Sequence, residues 1–102
     1  MAVGKPIDLG VIRFEKQGDA TVHFRTMLGR YRPGEVVTGA DGVELTELLR
    51  RHPEYAAKLG CGIRHFEVMA AEYGTQCFRI VRLDGSFDRF SYPTCVSGRG
   101  RP

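Results

Sequence analysis

Residues 62–92 read GIRHFEVMAAEYGTQCFRIVRLDGSFDRFSY, and this stretch decides the fold. Period-two alternation of β-branched and aromatic residues begins after Cys61, and Gly74 and Asp84-Gly85 stand where tight turns would reverse the chain. Three strands are expected, at roughly 62–71, 75–83 and 86–92, forming an antiparallel meander. Two-residue turns would place Val68 opposite Arg79 and Arg79 opposite Phe90. That register gathers Phe66, Val68, Ala70, Cys77, Val81, Leu83, Phe90 and Tyr92 on a core face, with Arg79 as the misfit. The opposite face then carries Phe78, Ile80, Arg82, Phe87 and Arg89 among others. A bulge at Asp84-Gly85 would instead unite Phe78 and Ile80 with Phe90 and Tyr92 and turn Arg79 to solvent. The unbulged register is the preferred reading.

Upstream, Val11-Ile12-Arg13-Phe14 is a short β-prone run broken by Gln17-Gly18-Asp19. Phe24, Met27, Leu28 and Tyr31 then fall at i, i+3, i+4 and i+7, so a helix is expected over 20–31, ended by Arg32-Pro33-Gly34. After a linker containing Glu35-Val36-Val37, Asp41 and Glu44 have capping-box spacing and open a second helix, whose apolar stripe is Leu45, Leu48 and Leu49. Arg50 and Arg51 sit in its last turn, where the helix dipole favours cations. Pro53 to Leu59 reads as one more short helix with Tyr55 and Leu59 buried, closed by Gly60. The expected class is α+β: an N-terminal strand and two to three helices packed on a three-stranded antiparallel meander. Residues 1–96 are expected to be one domain and residues 97–102 a disordered tail.

With 102 residues and 42% of them apolar, the chain can build a core without metal or disulfide staples. No apolar run approaches the roughly 20 residues that span a bilayer, and the first residues lack the order of a signal peptide. Cys61, Cys77 and Cys95 are odd in number and widely spaced, which fits reduced thiols. An intracellular protein is expected, cytoplasmic in a bacterium, with no membrane partner. The net charge of +3 is spread along the chain, so a basic patch would have to arise by folding.

No close Cys/His pair suggests a metal site, and no cofactor is expected. His23, His52 and His65 are nominal bases for a cysteine nucleophile, but His52 before Pro53 reads as a structural residue bonding free backbone groups. Gly60-Cys-Gly62 follows a helix and precedes a strand, the reverse of a dinucleotide-binding turn. An enzyme is therefore not the expectation, and no catalytic residue is assigned. Arg82 and Arg89 flank Phe78 and Phe87 in the unbulged register, and arginines interleaved with aromatics on an open sheet suit single-stranded RNA. The competing reading has those aromatics covered by the N-terminal segment or a partner.

A family resemblance runs through Met27-Leu-Gly-Arg-Tyr31, Gly34-Glu-Val-Val37, Leu48-Leu49, His52-Pro53-Glu54, Lys58-Leu-Gly-Cys-Gly-Ile63, Cys77-Phe78, Arg82-Leu-Asp-Gly-Ser86 and Phe90-Ser-Tyr92, ending at Cys95. In this order the set resembles the DCL domain, named for "defective chloroplasts and leaves". The resemblance implies an RNA-linked binding or processing-accessory module, because that family's settings are plastid ribosomal RNA processing and a domain appended to the largest subunit of plant RNA polymerase V. It implies no catalytic residues. The leading expectation is thus a nucleic-acid-associated module, contacting RNA through Lys58, Arg79, Arg82, Phe87 and Arg89. The alternative is a protein-interaction module that docks on a polymerase, a ribosome or an identical subunit through Phe78, Ile80 and Phe87.

Overall fold

The computed structural model describes residues 6–97. A small antiparallel hairpin, β1 (Ile7–Asp8) with β2 (Arg13–Phe14), leads into α1 (Gln17–Gly29), β3 (Val36–Val37), α2 (Gly39–Leu49) and α3 (Tyr55–Leu59). The meander β4 (Ile63–Ala70), β5 (Gln76–Arg82) and β6 (Phe87–Phe90) follows, and α4 (Tyr92–Ser97) ends the described chain. The fold is α+β, with a four-stranded antiparallel sheet in the order β3-β4-β5-β6. Val36 and Val37, expected in a linker, form its first strand opposite Glu67 and Phe66. The expected N-terminal strand is instead the separate β1/β2 hairpin.

Both hairpin registers are one residue out of step with the preferred reading. Residues 71–75 join β4 to β5 through a short 3-10 turn, closed by Ala71 N donating to Thr75 O at 2.9 Å, so Val68 faces Phe78 and Glu67 faces Arg79. The second connection is a three-residue loop, Leu83-Asp84-Gly85, closed by Arg82 N donating to Ser86 O at 2.8 Å, with Gly85 at φ 89°. Such a loop ends in a left-handed residue that inserts a bulge, which is the alternative the sequence had offered at this turn. Phe78 therefore pairs with Phe90, and Phe78 and Ile80 are both fully buried.

The core lies between this face and the helices. Phe24 and Met27 of α1, Leu45, Leu48 and Leu49 of α2, and Cys95 and Val96 of α4 meet Phe66, Val68, Phe78, Ile80 and Phe90. Burying each of these large side chains stabilises the fold by roughly 1.5–3 kcal/mol. The rings of Phe66 and Phe78 sit 5.6 and 6.1 Å from that of Phe90, and Tyr92 meets Phe78 edge-on at 6.2 Å.

α4 occupies residues expected to finish the last strand and begin the tail. Its signal is a capping pattern: the Ser91 hydroxyl accepts from Thr94 N at 3.4 Å, and Pro93 stands in the first turn, where no helical donor is needed. Arg51 closes the other end by donating to Cys95 O and Val96 O, both at 2.9 Å. Ser97 thus ends a helix, while residues 98–102 of the expected tail lie outside the described residues. The capping box expected at α2 is not formed either. Asp41 accepts from Tyr31 and Arg30, and Glu44 bonds His23 at 2.7 Å, so both carboxylates tie α2 to the α1 region rather than to their own amides. Burial pushes the Asp41 carboxyl up, but the hydrogen bonds from Tyr31 and Arg30 outweigh it and hold the group below its usual range.

α3 is fixed to the sheet by two close approaches. A β-carbon on Gly60, which has φ 55°, would lie 2.8 Å from the Arg82 side chain, and one on Gly62 would lie 2.9 Å from Leu83. Through the bare Gly60, the Arg82 guanidinium reaches the end of α3 and donates from Nε to Lys58 O at 2.9 Å. Gly60→Ala should therefore lower the unfolding free energy by roughly 2 kcal/mol in urea titrations. Gly18→Ala, whose β-carbon would meet nothing within 4 Å, should leave stability unchanged or raise it by up to about 1 kcal/mol.

Candidate functional site

Because side chains alternate across a strand, burying Phe66, Val68, Phe78, Ile80 and Phe90 turns their neighbours to the other face of the sheet. That face carries Val36, His65, Glu67, Met69, Cys77, Arg79, Val81, Phe87 and Arg89, and the helices leave it open. Phe87 is 55% exposed and Val36 40%.

An ion-pair row crosses its middle. Glu67 stands directly opposite Arg79, and Arg79 directly opposite Arg89. Two like charges face to face would repel, and each turns to a carboxylate instead. Arg79 Nε donates to Glu67 Oε1 at 3.0 Å, with its terminal nitrogen on the same oxygen, and its guanidinium lies 4.8 Å from the centre of the Phe87 ring. Arg89 bonds both Glu72 oxygens, at 3.2 and 3.3 Å. His65 Nε2 lies 2.7 Å from the second Glu67 oxygen. The bonds from His65 and then Arg79 hold the Glu67 carboxyl below its usual range, so it accepts and His65 Nε2 carries the proton.

The five residues singled out from the sequence fall into two groups. Arg79, Phe87 and Arg89 share the open face. Lys58 and Arg82 lie at the end of the core side, under α3, where Lys58 Nζ meets Asp88 Oδ2 at 3.1 Å and Arg82 approaches the same oxygen at 3.5 Å. Burial pushes the Asp88 carboxyl up, yet Lys58 outweighs that and keeps it lowered. The Arg82 side chain is only 13% exposed and also donates to Ser86 Oγ and Ala57 O, so its donors serve the corner between α3 and the hairpin loop. Phe78 and Ile80, expected to dock a partner, are core residues. Sequence reasoning placed Glu67 on this face but missed Val36, which it read as linker, and Val81, which the unbulged register had put in the core.

Among the described residues, the thiol of this face is that of Cys77. Burial pushes the Cys77 thiol up, and it pushes that of Cys95 up to about 12, so both stay protonated. Cys77 is half-buried on the open face rather than packed in the core, and Cys95 is the buried cysteine. His52 Nδ1 accepts from Glu54 N at 2.9 Å, closing the turn before α3; burial, then the nearby Lys58, lowers its pKa and keeps that nitrogen free to accept. Among the described residues, no three His, Cys, Asp or Glu side chains come together in a way that could hold a metal ion, and no helix is long and apolar enough to cross a membrane.

The charge of the described fold is balanced. Residues 6–97 contain twelve Lys/Arg and twelve Asp/Glu, and the three excess cations of the chain are Lys5, Arg99 and Arg101.

Residues 25–96 match the family described as "Protein of unknown function (DUF3223)", and the chain belongs to it. This corrects the DCL resemblance: the matching family is an uncharacterised one, and the plastid and RNA-processing expectations drawn from DCL go with that resemblance. The solution NMR structure of an uncharacterized protein from Rhodospirillum rubrum is similar with a TM-score of 0.84 and 49% sequence identity, over 93% of this chain and 91% of that one. A segment of DNA-directed RNA polymerase IV subunit 1 from Arabidopsis thaliana is 33% identical over 75 residues, which is 72% of this chain. The chain spans 5% of that subunit's length.

The lowered Glu67 carboxyl makes part of the stability pH-dependent. Its contribution is fully present above the unfolded value near 4.5 and disappears as pH falls through the lower folded value. In urea titrations, Glu67→Gln should cost about 1 kcal/mol or more at neutral pH and progressively less below pH 4.5, flattening the acid limb of the stability curve.

Proposed function

We propose that this family member is a protein-docking module of a transcription complex, engaging its partner through the open face of the sheet. One observation carries the reading: the arginines of that face are already matched to carboxylates, while Phe87, Val36 and the adjoining Leu83 remain exposed. Neutral ion pairs surrounded by exposed aromatic and aliphatic side chains resemble the make-up of protein interfaces. Nucleic-acid binding draws most of its strength from unpaired cations that displace counterions from phosphates. A described fold with no net charge supplies little of that, and Arg79 and Arg89 would each have to leave a carboxylate. The similarity to a segment of a polymerase subunit supports transcription as the setting and the interior of the cell as the place of work.

The test compares two ligands under one set of conditions: immobilised RNA polymerase from the source organism, and a labelled single-stranded RNA. The polymerase should bind saturably, and Phe87→Ser should weaken capture about tenfold or more. RNA should show no salt-sensitive binding. Steeply salt-dependent RNA binding that is lost in Arg79→Gln with Arg89→Gln, alongside polymerase capture indifferent to Phe87→Ser, would overturn the proposal in favour of a nucleic-acid module.

A further inference from the structure

A concave surface lies where α2 and α3 meet the first half of β4, bordering the open face at His65. We propose that this groove receives an extended acidic segment of a partner protein, lying in line with β3. This goes beyond the sheet-face reading and does not rest on it.

The groove encloses about 490 Å3. β3 is only two residues long and pairs with Glu67 and Phe66, so among the described residues Ile63 to His65 have no strand neighbour on that side. Arg64 is the extra residue of a bulge in the β4/β5 pairing, an irregularity that re-aims a side chain. The α2 wall begins with Gly39 and Gly42, which have no side chains to fill the space, and continues with Val43, half exposed. Tyr55, Leu59 and Ile63 complete an apolar lining. The channel thus runs where a longer β3 would have run. An extended chain fits such a place, because alternate side chains can enter the apolar wall while those between face solvent.

Charge defines the occupant further. The described fold is neutral as a whole, yet the groove lining holds two guanidinium groups, of Arg50 and Arg64, and no carboxylate. Among the described residues, Arg50 pairs with Glu47 at 3.3 Å, outside the lining, and Arg64 donates to Leu83 O at 3.3 Å. Carboxylates on the solvent-facing positions of the segment complement these two guanidinium groups. Residues 1–5 and 98–102 carry Lys5, Arg99 and Arg101 and no carboxylate side chain, so a partner's acidic segment complements the groove better than they do.

The probe is a fluorescein-labelled ten-residue peptide alternating glutamate and valine, titrated into the full chain and followed by anisotropy and by amide shifts of the 15N-labelled protein. Saturable binding is expected, with the largest shifts at Val37, Val43 and Ile63–His65. Val43→Asp should weaken it about tenfold and Arg64→Gln about threefold, each weakening reading as a loss of binding free energy. Val43 is half exposed, so the fold should tolerate the change, and thermal unfolding of the variant checks this. Phe87→Ser should leave peptide binding unchanged, which separates this site from the open face. Absence of binding, equal binding of a lysine-valine peptide, shifts centred elsewhere, or preference for a deca-thymidine strand would each overturn the proposal.

Discussion

The rest of the structure depends on the three-residue loop Leu83-Asp84-Gly85. Arg82 N bonds Ser86 O across it, and Asp84 Oδ1 accepts from Ser86 N at 2.9 Å, so the turn is held by both backbone and side chain. Its length decides which residue of β6 meets which residue of β5. With a side-chain period of two, a slip of one residue would send Phe78 and Ile80 to solvent and bring Arg79 into the core. Burying an unpaired guanidinium costs far more than any local preference of the turn. The bulged loop removes that conflict, and the helices then have an unbroken apolar face to cover.

The same hairpin organises its surroundings from below. Arg82 leaves the core side of β5 and fills the space that Gly60 leaves open at the end of α3, joining the helix end, the loop and Asp88 in one corner, while Leu83 fills the space beside Gly62. Lys58 binds Asp88 and also Arg89 O, the latter at 3.1 Å, which occupies one acceptor on β6, an edge strand of the sheet. An inward-leaning charge and a covered carbonyl blunt a strand edge that would otherwise invite pairing with other chains. The glycine and arginine motifs that stand out in the sequence are thus accounted for by packing. Their conspicuousness comes from close backbone approach and not from chemistry performed on a ligand.

The proposed roles rest on how the charges are disposed. The open face pairs its cations internally and leaves aromatic and aliphatic carbon exposed, whereas the α2/β4 groove is lined by Arg64 and by Arg50, whose carboxylate partner Glu47 lies outside the lining. The two proposed contact surfaces thus differ in character on one small fold.

The periodicities of the chain determined the class of the fold, because Phe24, Met27 and Leu28 can share a side only on a helix, and the alternation after Cys61 suits only strands. Leu45, Leu48 and Leu49 were legible for the same reason, and Gly74 and Asp84-Gly85 marked where the chain reverses but not how long each turn is. Four features were decided by tertiary structure. The register needed the real loop lengths; β3 is two valines that become a strand only beside Glu67 and Phe66; and α4 is a six-residue helix stabilised by burying Cys95 and Val96 and by Arg51 from α2's end. The fourth is the fate of the arginines. A sequence shows how many cations there are, but whether Arg79 and Arg89 are available or already paired depends on which carboxylates the folded chain sets within about 4 Å of them, and here those are Glu67 and Glu72.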